Sequence, residues 1–144
     1  MAFDGVTIAS IVEELNEKLL DGRIYKIAQP EKDELLLTVK SAGSQYRLMM
    51  SADASLPLLY LTQENKKSPM TAPNFCMVLR KYLQGGRVVE ISQPGLERVI
   101  QIKVEHLDEM GDTCIRVLCF ELMGKYSNLI LCDDKSIILD SLKH

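Results

Sequence analysis

The chain has 144 residues, 47% of them hydrophobic and 26% charged, with a formal net charge of −3. That is enough apolar material for one substantial core and enough charge for a polar surface. It excludes a molecule that coats nucleic acid over its whole surface, so any RNA or DNA contact must come from a local basic patch.

The first element expected is a helix over residues 7–20. Ile8, Ile11, Val12, Leu15 and Leu19 recur at helical spacing and make one apolar face. Thr7 is the expected N-cap and Gly22 the stop. Glu13, Glu14, Glu17 and Lys18 fall on the solvated face. Three strands follow with short joints, at residues 23–29, 34–40 and 45–50, and a further short one at 58–61. Joints this short force antiparallel pairing.

Residues 62–71 read as an exposed polar loop, where Lys66 and Lys67 are ordinary solvated lysines. A second helix is expected from Pro73 to about Leu83, with proline at its first position and Gly85-Gly86 closing it. Phe75, Val78, Leu79 and Tyr82 form its buried stripe. Arg80 and Lys81 sit in its last turns, where the helix dipole favours a cation by roughly 0.3–1 kcal/mol. With Arg87 they form the densest basic cluster of the sequence and are candidate phosphate contacts.

From residue 87 onward the chain reads as β, with strands expected over 87–92, 97–107, 113–123, 128–132 and 136–139. Pro94-Gly95 is a turn dipeptide, because proline presets φ and glycine accepts φ above zero. It lifts Leu96, Glu97 and Arg98 to the lip of a β-hairpin. The expected fold is α+β: eight or nine antiparallel strands in two packed, sandwich- or barrel-like sheets, with two helices alongside.

Chemistry-bearing motifs are sparse. There is no phosphate-binding glycine loop, no H-E-x-x-H and no G-x-S-x-G. Two histidines, His106 and His144, give no metal-ligand spacing and little for acid–base catalysis. Cys76, Cys114, Cys119 and Cys132 form no C-x-x-C pair and read as reduced core residues, which fits the cytoplasm. No signal peptide is expected, since the first basic residue is Lys18, and no run reaches the roughly 18 apolar residues of a membrane span. The expectation is a binding module without cofactor or metal, not an enzyme.

Several blocks resemble one family. M-A-F-D-G and its helix, D-G-R-I-Y-K-I-A-Q-P, A-P-N-F-C-M-V-L-R-K-Y-L-Q-G-G-R, P-G-L-E-R-V-I and E-L-M-G-K-Y-S-N-L-I-L are similar, in order and spacing, to the NFACT-N module. That module begins the bacterial fibronectin-binding protein A-like or RqcH proteins and their eukaryotic relative NEMF. The resemblance makes the chain a single domain, residues 1–144, from the N-terminal part of a longer protein. It implies ribosome-associated quality control: binding to a large ribosomal subunit that holds stalled peptidyl-tRNA, and recruitment of alanyl-tRNA for template-free C-terminal tailing. The family's Asp-Arg pair for tRNA recruitment aligns with Glu97-Arg98, where glutamate adds one methylene.

The resemblance also implies a fold similar to the N-terminal domain of formamidopyrimidine-type DNA glycosylases. Those enzymes start with a nucleophilic proline and a glutamate, in whose places stand Ala2 and Phe3. Base-excision chemistry is therefore not expected. The physical case for Arg98 is that guanidinium both stacks on bases and bonds phosphates. Its competing structural role is a cross-strand ion pair, worth roughly 0.2–1 kcal/mol if exposed. Two other functions stay open: a surface adhesin for fibronectin or fibrinogen, as in the family's older name, and a nucleic-acid enzyme of glycosylase type.

Overall fold

The structure, a computed structural model, describes residues 4–144. Helix α1 spans Gly5–Leu19, beginning two residues before the expected start. Its N-cap is Asp4 and not Thr7: the Asp4 carboxylate accepts a hydrogen bond from the Thr7 N–H at 2.8 Å. Aspartate caps better than threonine and adds a negative charge at the positive end of the helix dipole. Ile8, Leu15 and Leu19 are buried, with Ile11 and Val12 packed beside them.

Strands β1 (Arg23–Ala28), β2 (Glu34–Ser41), β3 (Ser44–Ser51) and β4 (Leu58–Thr62) form a meander. Helix α2 (Asn74–Leu83) follows, with Pro73 as its N-cap and not its first helical residue. Strands β5 (Arg87–Ser92), β6 (Val99–Leu107), β7 (Thr113–Glu121), β8 (Asn128–Asp133) and β9 (Ile138–Ser141) make a second meander. A short 3-10 turn, Gly124–Tyr126, lies between β7 and β8. The fold is thus α+β with antiparallel strands and two helices.

The expected pair of stacked sheets is replaced by one continuous sheet, ordered β4-β3-β2-β1-β5-β6-β7-β8-β9. The two meanders fuse where β1 meets β5. Arg23 faces Arg87 there, the one ladder pair between those strands. Backbone bonds flank that pair on both sides: Ile24 N–H to Gly86 O at 2.9 Å, Gly85 N–H to Ile24 O at 2.8 Å, Val88 N–H to Gly22 O at 2.9 Å and Asp21 N–H to Val88 O at 2.8 Å. Short joints reveal each meander, but this seam links segments far apart in the chain.

Both helices lie on one face of the sheet: α1 against β5, β2 and β6, α2 against β1, β6 and β9. One core holds residues from both halves, including Ile27, Leu37, Leu48 and Met50 on one side and Ile102, Val104, Phe120 and Leu131 on the other. The sheet curls enough that Lys143, just past β9, donates from Nζ to the Ala52 carbonyl beyond β3, at 2.6 Å.

Gly86 is fitted tightly into the seam. A Cβ there would lie 2.5 Å from Val104 Cγ1 and 2.9 Å from the Glu105 carbonyl oxygen. Gly86→Ala is expected to destabilise the domain by about 1–3 kcal/mol, the usual range for overpacking. Urea unfolding followed by circular dichroism measures it.

Candidate functional site

Residues 93–98 connect β5 to β6 and carry Glu97 and Arg98. The strand expected to start at residue 97 starts at Val99, so both side chains stand on the turn itself. Gly95 has φ 53°, a left-handed conformation that glycine adopts without strain. The Glu97 N–H donates to the Pro94 carbonyl at 3.1 Å and closes the turn.

Three anchors hold this tip. Gln93 donates from Nε2 to the Glu97 carbonyl at 2.6 Å and to the Gly5 carbonyl, in the first turn of α1, at 2.9 Å. The Arg98 carbonyl accepts from the Leu122 N–H at 2.9 Å, which ties the tip to the end of β7. Gly5 lies so close that a Cβ there would fall 1.8 Å from the Leu96 carbonyl oxygen. The opening D-G and the P-G-L-E-R turn, separate blocks in the sequence, are therefore one physical unit.

Glu97 and Arg98 are exposed. Among the described residues neither side chain takes part in a hydrogen bond or an ion pair, so the backbone around Arg98 is fixed while its guanidinium remains uncommitted. The Asp4 carboxyl, in the same corner, is held below its ordinary range by the Thr7 N–H it accepts from. Leu122, which bonds the Arg98 carbonyl, leads into the 3-10 turn that carries Lys125 and Tyr126. Tyr126 is 72% exposed, with the Lys125 ammonium 5.1 Å from its ring centroid, within cation–π range. Gly124, at φ 59°, turns the chain outward before them.

The other candidates, Arg80, Lys81 and Arg87, do not form a shared basic patch. Arg80 donates from Nε to the Ile27 carbonyl at 2.9 Å and fastens α2 to β1. Lys81 lies 4.0 Å from Glu109. Arg87 is held by Asp21 at 2.7 Å and Glu105 at 3.5 Å, beside the seam. Each is engaged structurally at a different place, and Arg87 is already neutralised by carboxylates.

The cysteines depart partly from expectation. All four are free, but only Cys76 belongs to the core. Cys119 and Cys132 are half-buried and share a shallow cleft of about 150 Å³ on the sheet face away from the helices, with Gln101, Lys103 and Val117. Burial, and secondarily the neighbouring Cys132, push the Cys119 thiol up to about 11. Ala2 and Phe3, the residues that bear on glycosylase chemistry, lie outside the described residues.

The geometry is a curled antiparallel sheet with two helices on one face and an exposed acid–arginine tip at its rim. Residues 4–144 match the family model for NFACT N-terminal and middle domains. The chain is 39% identical over 145 residues to the Rqc2 homolog RqcH of Bacillus subtilis, covering 100% of this chain and 25% of that protein. It is 41% identical over 145 residues to the Rqc2 homolog RqcH of Streptococcus pneumoniae, covering 100% of this chain and 26% of that one. The crystal structure of the N-terminal domain of fibronectin-binding protein PavA from Streptococcus pneumoniae superposes with a TM-score of 0.95 at 42% identity, over 99% of this chain and 54% of that one. The chain belongs to the NFACT-N family, the N-terminal module of the fibronectin-binding protein A-like, RqcH and NEMF proteins of ribosome quality control. It spans about a quarter of the length of the curated relatives it matches. No helix among the described residues is long and apolar enough to cross a membrane.

Two outcomes follow from the local chemistry. Gly5→Ala must push the tip away from α1, with an expected loss of about 1–3 kcal/mol in thermal melts and faster proteolytic nicking at residues 94–98. At pH 8 only roughly one Cys119 in a thousand is thiolate, from a value of about 11. Iodoacetamide at pH 8 should leave Cys119 unmodified in the folded chain and label it after unfolding, as read by peptide mass spectrometry.

Proposed function

We propose that this domain is a non-catalytic RNA-binding module of a cytoplasmic ribosome-associated quality control factor, and that Arg98 is its tRNA contact. One observation carries the reading: an exposed guanidinium on an anchored turn, uncommitted among the described residues. A planar cation stacks on an unpaired base and donates in parallel to phosphate oxygens. Glu97 serves as an acceptor for base or ribose donors. Fixing the backbone in advance lowers the ordering cost of binding.

In the full-length protein such a module binds the large ribosomal subunit with its stalled peptidyl-tRNA. It positions alanyl-tRNA for template-free tailing, while peptide-bond formation stays with the ribosome. The domain needs no cofactor for this role. A likeness of its fold to the N-terminal domain of formamidopyrimidine-type glycosylases is part of the proposal. It carries no chemistry over, because Ala2 and Phe3 stand in place of the nucleophilic proline, with its secondary amine, and of the glutamate.

A second reading, a surface adhesin for fibronectin or fibrinogen, has one observation in its favour: solved neighbours are named as fibronectin- and fibrinogen-binding proteins. Saturable fibronectin binding by the 144-residue chain, unaffected by Arg98→Ala, would favour the adhesin.

Fluorescence anisotropy with labelled tRNA tests the RNA reading. Arg98→Ala is expected to cost about 1–3 kcal/mol of binding without shifting the melting temperature, and Arg98→Lys is expected to recover only part of it. Unaltered tRNA affinity in folded Arg98→Ala overturns the assignment.

A further inference from the structure

The face of the sheet turned away from the helices carries a row of like charges that its own strands do not neutralise. Lys40 on β2 faces Arg23 on β1, and Arg23 faces Arg87 on β5, so three cations stand directly opposite one another across three strands. Like charges in that relation destabilise a sheet. Arg87 alone is compensated, by Asp21 and Glu105. One row along, Lys26 faces Thr38, and Thr38 faces Arg47 on β3. Arg47 donates from Nη1 to the Gln63 carbonyl at 2.9 Å, and its Nε is buried without a partner. Among the described residues Arg23, Lys26, Lys40 and Arg47 have no carboxylate partner; Arg23 gives one Nη1 donor to the Gly85 carbonyl at 3.2 Å, which leaves its charge unneutralised. The acid at the far end of this face, Glu34, is taken by Lys66 at 2.8 Å. Four uncompensated positive charges thus adjoin one another in a chain whose net charge is −3.

An aromatic ring stands among them. The β1–β2 register skips between Ile24 and Lys26, a bulge that leaves Tyr25 without an opposite residue and turns both Tyr25 and Lys26 outward. The Lys40 ammonium lies 3.6 Å from the Tyr25 ring centroid. Tyr25 is 56% exposed, which leaves ring surface for a flat ligand.

We propose that this face is a second RNA-binding surface, which takes sugar–phosphate backbone on Arg23, Lys26, Lys40 and Arg47 and stacks a base on Tyr25. The inference rests on the reading of the domain as an RNA binder but uses none of the tip residues. Strand β5 separates the two sites: Arg87 beside Arg23 at one end, Ser92 before the tip at the other, roughly 20 Å for six residues. A folded RNA the size of tRNA reaches both, and a mononucleotide does not. RNA answers the electrostatics, since its phosphates neutralise the row, and it also supplies the base for the ring. An anionic lipid surface would supply only the first.

The test titrates labelled tRNA into the 144-residue chain between about 50 and 200 mM salt, alongside phosphatidylserine vesicles. In Arg23→Gln/Lys26→Gln/Lys40→Gln the slope of log affinity against log salt should flatten by about 0.7–0.9 per cation removed. Affinity should fall about tenfold or more at 100 mM salt. The melting temperature should hold or rise, because the opposed charges are gone. Tyr25→Ala should weaken binding and Tyr25→Phe restore it. If the triple variant keeps wild-type affinity and slope while Arg98→Ala loses binding, the surface is refuted and the tip stands. If the triple variant loses binding and Arg98→Ala does not, the surface stands and the tip falls. Binding to vesicles but not to tRNA at any salt refutes both.

Discussion

The amide of Gln93 holds the functional geometry together. Its two donor bonds, to the Gly5 and Glu97 carbonyls, join the first turn of α1 to the turn that carries Arg98. Without a Cβ on Gly5 the Leu96 carbonyl can sit against the helix, and with one it cannot. Leu122 adds a third tie from β7. A loop would ordinarily be the most mobile part of such a sheet. This one is bonded to a helix and a strand on either side, and mobility is left to its side chains.

The same economy appears across the sheet. Residues that look alike in sequence separate by what they face. Arg87 lies between two carboxylates and Arg80 is bonded to a backbone carbonyl, so their charge and donors serve the fold. Arg98 lies on a turn with neither, and Arg23 and Lys40 face each other without a carboxylate, Arg23 giving one donor to the Gly85 carbonyl. Position in the register, more than residue type, decides which cations are available to a ligand.

Much of this was legible beforehand. The apolar spacing of Ile8 to Leu19 and of Phe75 to Leu83 gave both helices, and short polar joints gave the two meanders. The Pro-Gly turn put Glu97 and Arg98 at the rim, where the structure also has them. Asp4 was overlooked because Thr7 is also a capping residue, and the two are separated only by which partner each meets. The seam was invisible for a different reason. Two meanders with good internal patterning read the same whether they stack or join edge to edge, and the choice depends on Gly22 and Gly86 admitting close approach and on Gly85 taking a positive φ. Arg80, Lys81 and Arg87 lie close in sequence but meet different partners in the fold, whereas Arg23 and Lys26 on β1, Lys40 on β2 and Arg47 on β3 are brought together only by strand register.

A sheet joined through a single ladder pair has a weak waist. Each meander is braced by long ladders of its own, whereas at the waist the load passes through a few flanking amides and the Arg87 clamp. Torsion between the two wings therefore concentrates at this line, and α1, which touches β2 on one wing and β5 and β6 on the other, acts as the strut that limits it. Because the same strut ends at Gly5, any flexing of the wings is transmitted to the arginine-bearing rim.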